Sequence, residues 1–323
     1  MNNQLKEEVY KCSKCGLCKS VCPIYLATKN EMFSPRGRHI ILNNFLQNNK
    51  KPSNDFFKNL DVCLNCNLCK DFCPSNIDSG EIFRKLKKSS KIFYLNLFSR
   101  FFFHAILNNF KKKKPHKNIS NKKVLYFEGC YNKFINASDR NHTIELIEQA
   151  GYKITQIVSE CCGYIYLSNN DEKQYEQNKK KILKAFNKEA EYIICSCDSC
   201  YNTLSLMKEE LSNKKLITLD KFLEINNIKI KQKENIKYFK AITRNDSPYL
   251  PQDIEIINEK GACSLMENFF AIKHPQLAKN IILKKDKYDK KLATTCNITL
   301  WGLIDNLKQE AIPYSKAIKK EVD

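Results

Sequence analysis

The chain has 323 residues, with 55 lysines and arginines against 35 acids and a net charge of +20. Its eight glycines nowhere stand close enough for a G-x-G-x-x-G turn or a P-loop, which argues against an FAD, NAD or ATP site of those kinds on this chain. Sixteen cysteines are too many to be incidental, and Met1–Glu8 has acids and amides where a signal peptide needs an apolar run. A reducing, cytoplasmic compartment is therefore expected, with the thiols binding metal or doing redox work rather than pairing as disulfides.

Residues 1–85 hold two matching cysteine runs, Cys12-x2-Cys15-x2-Cys18-x3-Cys22-Pro23 and Cys63-x2-Cys66-x2-Cys69-x3-Cys73-Pro74. This is the bacterial ferredoxin spacing, in which three thiolates wrap one cubane and the fourth cysteine serves the other cluster. The expected sets are Cys12, Cys15, Cys18 and Cys73 for one [4Fe–4S] cluster, and Cys63, Cys66, Cys69 and Cys22 for the second. Paired zinc sites would not explain the doubled pattern ending in proline. The stretch between the runs carries Ser34-Pro35-Arg36-Gly37-Arg38 and a helix-compatible run from His39 to Leu46. An α-helical two-cluster domain fits that length better than a compact β-hairpin ferredoxin.

Residues 86–122 change character. Lys85, Lys87, Lys88 and Lys91 lead into the aromatic block Ile92 to Phe110, followed by Lys111-Lys112-Lys113-Lys114-Pro115. The block is interrupted by Asn96, Arg100 and His104 and falls short of the ~20 apolar residues of a spanning helix. Two readings stand: a helix lying in an anionic membrane interface, and a linker helix packed between domains.

From Lys122 the chain is α/β. Short apolar strands over Val124 to Phe127, Tyr152 to Val158, Tyr192 to Ile194 and Leu216 to Leu219 alternate with helical stretches around Thr143 to Ala150, Gln174 to Lys188 and Asn202 to Leu211. The first three strands run into cysteines: Cys130, then Cys161 and Cys162, then Cys197 and Cys200. The carboxyl ends of parallel strands are where ligands gather, so five thiolates converging there would hold a large iron–sulfur cluster. Cys195 is expected to end its strand and pack inward. Residues 234–323 repeat the plan weakly, with strands at Ile236 to Phe239, Asp253 to Ile257 and Lys291 to Thr295, and helices at Lys273 to Leu283 and from Leu300. Only Cys263 and Cys296 survive as counterparts, so this part is expected to be a structural pseudo-repeat without a cluster of its own. The five histidines form no constellation, and no acid–base residue is predicted.

Together, the doubled run, Ser34-Pro35-Arg36-Gly37-Arg38, Cys161-Cys162-Gly163 and Cys197-Asp198-Ser199-Cys200 resemble the cysteine-rich "CCG" iron–sulfur proteins. These include glycolate oxidase and anaerobic glycerol-3-phosphate dehydrogenase iron–sulfur subunits, lactate-utilisation proteins and heterodisulfide reductase subunits. Lys273-His274-Pro275-Gln276-Leu277 is similar to the family's second CCG domain. The resemblance implies a ferredoxin-type domain over 1–85, a linker over 86–122, a complete CCG domain over 123–230 and a degenerate one over 231–323. It also implies a third, noncubane [4Fe–4S] cluster on Cys130, Cys161, Cys162, Cys197 and Cys200.

The expected function is an electron-transfer subunit of a 2-hydroxy-acid dehydrogenase of glycolate or lactate type. Electrons would come from an FAD-containing partner and leave toward a quinone or another carrier. The protein would be cytoplasmic, with a peripheral place on the inner membrane's cytoplasmic face left open and no specific nucleic acid as partner. A heterodisulfide reductase-like thiol–disulfide reaction is the alternative enzyme reading, and a basic assembly or nucleic-acid-binding protein with structural clusters the non-redox one.

Overall fold

Helix starts in the N-terminal part are set by side chains that accept from orphan backbone N–H groups. Ser34 Oγ accepts from Gly37 N at 2.9 Å, with Pro35 in the first turn, and opens the helix Pro35–Gln47. Ser53 opens Asn54–Asp61 and Asp78 opens Ser79–Leu86 in the same way. With Asn3–Tyr10 these helices close over Val9, Leu42, Phe56, Leu60, Ile77, Ile82 and Phe83. The N-terminal part is helical, as expected from the sequence. The computed structural model describes residues 3–87, 94, 97–98, 115, 120–211, 213–241, 244, 246–252, 254–257, 266, 269–282 and 288–321. Most of the aromatic block, and with it the choice between its two readings, lies outside them, as does Cys263.

The remaining chain builds two sheets of identical plan. The first contains β1 (Lys123–Phe127), β2 (Lys153–Val158), β3 (Tyr192–Cys195) and β4 (Lys215–Thr218), all parallel, in the order β2-β1-β3-β4. After β5 (Ile230–Gln232), the second contains β6 (Lys237–Phe239), β7 (Glu255–Ile257), β8 (Leu292–Thr294) and β9 (Ala311–Pro313), again parallel, in the order β7-β6-β8-β9. β6, β7 and β8 fall where strands were anticipated for residues 234–323; β9 was not anticipated. β10 (Ile318–Lys320) returns to pair antiparallel with β5, a clasp between the two units that the sequence did not announce. One apolar cluster runs through both, from Val124, Tyr126 and Ile194 to Tyr238, Ala293, Tyr314 and Ile318.

Several helices differ from expectation; the one expected around Thr143 to Ala150 spans Ala137–Gln149. The one expected from Asn202 begins at Asp198 and brings Cys200 into its first turn. The one expected from Leu300 begins at Asn297. The stretch expected as a single helix over Lys273 to Leu283 is broken into Phe270–Lys273 and Pro275–Ile282, because a residue preceding proline is pushed out of the helical region and His274 sits at φ −133°.

Candidate metal centres

The two ferredoxin-type runs fold alike. Each turns twice through the left-handed region at matching places, Lys14 and Gly16 in the first and Asn65 and Asn67 in the second. These turns aim thiols and backbone N–H groups to the same side; Asn65 N lies 3.4 Å from Cys63 Sγ. One small cavity is lined by Cys12, Cys15, Cys18 and Cys73, with Cys69 also at its wall. A second is lined by Cys22, Cys63, Cys66 and Cys69. The structure thus brings together both sets expected from the spacing, including the exchanged fourth cysteines. Burial raises the thiol of Cys18 to about 11 and pushes Cys66 and Cys69 up as well, with neighbouring cysteines adding to the effect.

Ser34-Pro35-Arg36-Gly37-Arg38 serves these cavities. Gly37 is needed because a Cβ there would lie 2.0 Å from the Glu31 carbonyl oxygen. Arg38 is buried, donates Nε to Asn59 O and Oδ1 at 3.2 and 3.0 Å, and faces the Phe83 ring. Its charge lowers Cys22, against the larger effect of burial. Lys87 Nζ is buried without a hydrogen bond, 3.8 Å from Asp61 and drawn electrostatically to Cys63. Lys273 and His274, the residues of the second-unit motif, pack in the same region beside Asp61 and Cys63. A buried ammonium without a hydrogen bond is costly, and a thiolate-bound cluster would add to the negative charge that Asp61 already sets near it. The residues present fit two cubane clusters.

The five cysteines of the first sheet also meet. Cys130 lies in the helix Gly129–Phe134 after β1, Cys161 and Cys162 follow β2, and Cys197 and Cys200 follow β3. Cys161 accepts hydrogen bonds from Cys130 and Cys162 and is held low by them; Cys130 and Cys162 are correspondingly raised. Cys200 bridges Cys162 to Cys197 and is raised, whereas Cys197 is held low by Cys200 and Cys296. The result is a continuous string of sulfurs. Backbone N–H groups of Gly163 and Asn297 point at Cys161 and Cys197 from 3.5 and 3.3 Å. Gly129 makes the close approach at β1: its φ is +68°, and a Cβ would stand 3.1 Å from Cys200 Sγ. Among the described residues no three His, Cys, Asp or Glu side chains close on a single-ion point. The all-sulfur donor set is of the kind that suits an iron–sulfur cluster.

Cys195 behaves as the sequence suggested, fully buried at the end of β3. Cys296 does not: it joins the string from the second unit, which sequence reading missed. Its signal was its place after β8, matching that of Cys197 after β3. The polar floor beneath the sulfurs was equally hidden. Arg244 donates to Asp198 at 3.2 Å and to Asp220 at 2.7 Å, and Thr295 donates to Asp198 at 2.6 Å. Burial pushes the Asp198 carboxyl up to about 7 although Arg244 pulls it down.

An open cleft of 860 Å³ reaches this string. Cys130 and Cys161 lie in its wall among Tyr131, Ile165, Phe269 and Trp301. Three described residues of the linker, Tyr94, Leu97 and Phe98, line it too: Leu97 is buried, and Tyr94 donates its hydroxyl to Asp171 at 2.8 Å. Among the described residues no helix is long and apolar enough to cross a membrane.

Residues 8–77 match the 4Fe-4S dicluster domain and residues 124–205 the cysteine-rich domain. The chain thus joins a region that matches a 4Fe-4S dicluster domain to one that matches a cysteine-rich domain. Over 93 residues it is 30% identical to the probable glycolate oxidase iron-sulfur subunit of Bacillus subtilis, covering 27% of this chain and 21% of that protein. Over 66 residues it is 35% identical to the glycolate oxidase iron-sulfur subunit of Escherichia coli, covering 20% and 16%. The chain thus spans about a fifth of the length of these relatives. A longer, weaker match is to one of the subunits of the dihydromethanophenazine:CoB–CoM heterodisulfide reductase of Methanosarcina mazei. It is 22% identical over 293 residues, covering 78% of this chain and 71% of that protein. No solved structure matches.

Proposed function

We propose that the protein is the electron-transfer subunit of an oxidoreductase of the 2-hydroxy-acid dehydrogenase type, in which a separate FAD-containing subunit oxidises a glycolate- or lactate-like substrate. Its ligand sets are Cys12, Cys15, Cys18 and Cys73; Cys63, Cys66, Cys69 and Cys22; and Cys130, Cys161, Cys162, Cys197 and Cys200. Bound there, two cubane clusters and a third, noncubane cluster supply one-electron steps between the flavin and a quinone or other carrier. The units follow the divisions 1–85, 86–122, 123–230 and 231–323.

The observation that carries this reading is continuity of packing between the sites. Cys22 and Cys66 from the second ferredoxin-type set belong to the same apolar cluster as Tyr131, next in sequence to Cys130, and as Phe270 and Trp301. Apolar packing thus runs from the second ferredoxin-type set to the residue beside Cys130. Its side chains bury the sites, exclude water and set their charge; none of those described is positioned as a general acid or base. The basic surface suits an acidic partner or an anionic membrane face.

Purification at native level under anaerobic conditions, with identification of what accompanies the chain, tests the reading. A flavoprotein in stoichiometric amount is expected, reducing the clusters when its 2-hydroxy acid is added. Reproducible purification with no flavoprotein would contradict it.

The heterodisulfide reductase relation favours a second reading, because that match covers 78% of this chain and the open cleft gives a substrate sulfur access to Cys130 and Cys161. Rapid oxidation of the reduced protein by a disulfide would select it.

A further inference from the structure

Cys296 belongs to the second unit, yet its sulfur lies with those of the first. It is the N-cap of the helix Asn297–Asp305 directly after β8, as Cys197 is the N-cap of Asp198–Ser205 after β3. The two caps meet. Cys197 packs with Cys296, Cys200 and Cys162 in one buried cluster, and its sulfur takes the Asn297 N–H at 3.3 Å. Ser199 Oγ stands 3.0 Å from Cys296 Sγ, and the residue is 2% exposed.

This meeting is fixed by the backbone on both sides of Cys296. Asp198 N donates to Thr295 O at 3.0 Å just before it. Asn297 Nδ2 donates to Asn132 Oδ1 at 3.1 Å just after it. Thr295, Asp198 and Arg244 lock the floor below. Helices of eight and nine residues present their N-termini to the paired sulfurs, which favours negative charge there. Nothing in the described part of the second unit offers Cys296 another thiol partner: Thr299 stands where the first unit has Cys200.

We propose that Cys296 is a sixth sulfur donor to the iron–sulfur centre of the first unit, completing from the second unit the set formed by Cys130, Cys161, Cys162, Cys197 and Cys200. The proposal rests on the reading of those five as cluster ligands. On assembly the Cys296 thiol releases its proton and its sulfur bonds to iron, with no change of oxidation state. The centre then crosses the boundary between the two units, and the second unit has a role although it lacks a full cysteine set of its own.

The test uses the full chain purified anaerobically as wild type, Cys296→Ala, Cys296→Ser and Cys195→Ala, with iron and sulfide counts, EPR of the reduced protein and ⁵⁷Fe Mössbauer spectra. Wild type is expected to hold about 12 iron atoms per chain. Cys296→Ala should lose about a third of them and one spectroscopic centre while both cubane signals persist, and Cys195→Ala, equally buried but outside the string, should keep all. Cys296→Ser should show altered Mössbauer parameters at one iron, and it serves if the alanine variant does not fold. Full iron and an unchanged third spectrum in Cys296→Ala would overturn the proposal. So would a third centre that keeps its iron in Cys296→Ala, shifts only in potential and is restored by Cys296→Ser, which marks a hydrogen bond to Cys197 instead of a ligand. About 8 iron atoms in wild type would overturn the five-cysteine reading itself, and the proposal with it.

Discussion

Lys87 carries its amino group into the interior beside Cys63 and Asp61, and burial pulls its pKa down against both. A positive charge there favours the more negative, reduced state of whatever the neighbouring thiolates hold. Lys87→Met is therefore expected to move the midpoint potential of one of the two cubane clusters to a more negative value and to leave the other in place. A potentiometric titration followed by EPR measures this; two unmoved midpoints would show that Lys87 does not face a cluster. His39 gives a prediction about pH. Its Nε2 lies 3.0 Å from Ser79 Oγ against the Phe83 ring, and burial lowers its pKa to about 4. Between pH 6.5 and 4 the unfolded chain takes up a proton there that the folded chain refuses. Stability is thus complete above about pH 6.5 and falls as pH drops toward 4, by on the order of 3 kcal/mol. Urea unfolding across that window should show the fall, and His39→Gln should flatten it. Both residues were illegible in the sequence, where Lys87 was one lysine among many and His39 one histidine without company.

Strands and their trailing cysteines were the legible elements, because three- and four-residue apolar runs such as Tyr192–Ile194 and Val124–Phe127 have few ways to be buried. Helix starts were less so, for a specific reason. Cys197 and Cys296 cap their helices without a side-chain hydrogen bond, so the usual Ser, Thr, Asp or Asn signal is missing where each helix begins. The sulfurs are committed to the string instead. Gly129 tests how tightly this arrangement is built. Gly129→Ala must hold a left-handed φ and bring a methyl group to 3.1 Å from Cys200 Sγ. A loss of about 1–3 kcal/mol in stability is expected, with displacement of Cys200 from the string. Thermal unfolding with an iron count measures both, and an alanine variant with unchanged stability and iron would contradict the close approach.

Across the whole molecule, the repeat of two parallel sheets was visible as a weak echo in the sequence, and its strand order bears that out. What sequence spacing could not carry is how the units meet. The β5–β10 clasp, the Arg244 network and the contact of Cys296 with Cys197 join residues about 50 to 100 positions apart, and each depends on two domains docking. The eight ferredoxin-type cysteines were legible for the opposite reason, since each run is local and the geometry of one cubane fixes its spacing. The central claim is that the chain holds three cluster sites. Iron and acid-labile sulfide on the anaerobically purified chain, with EPR of the dithionite-reduced protein, test it most directly. About 12 iron atoms per chain and three distinct centres are the predicted result. About 8 iron atoms with two cubane signals alone would contradict it.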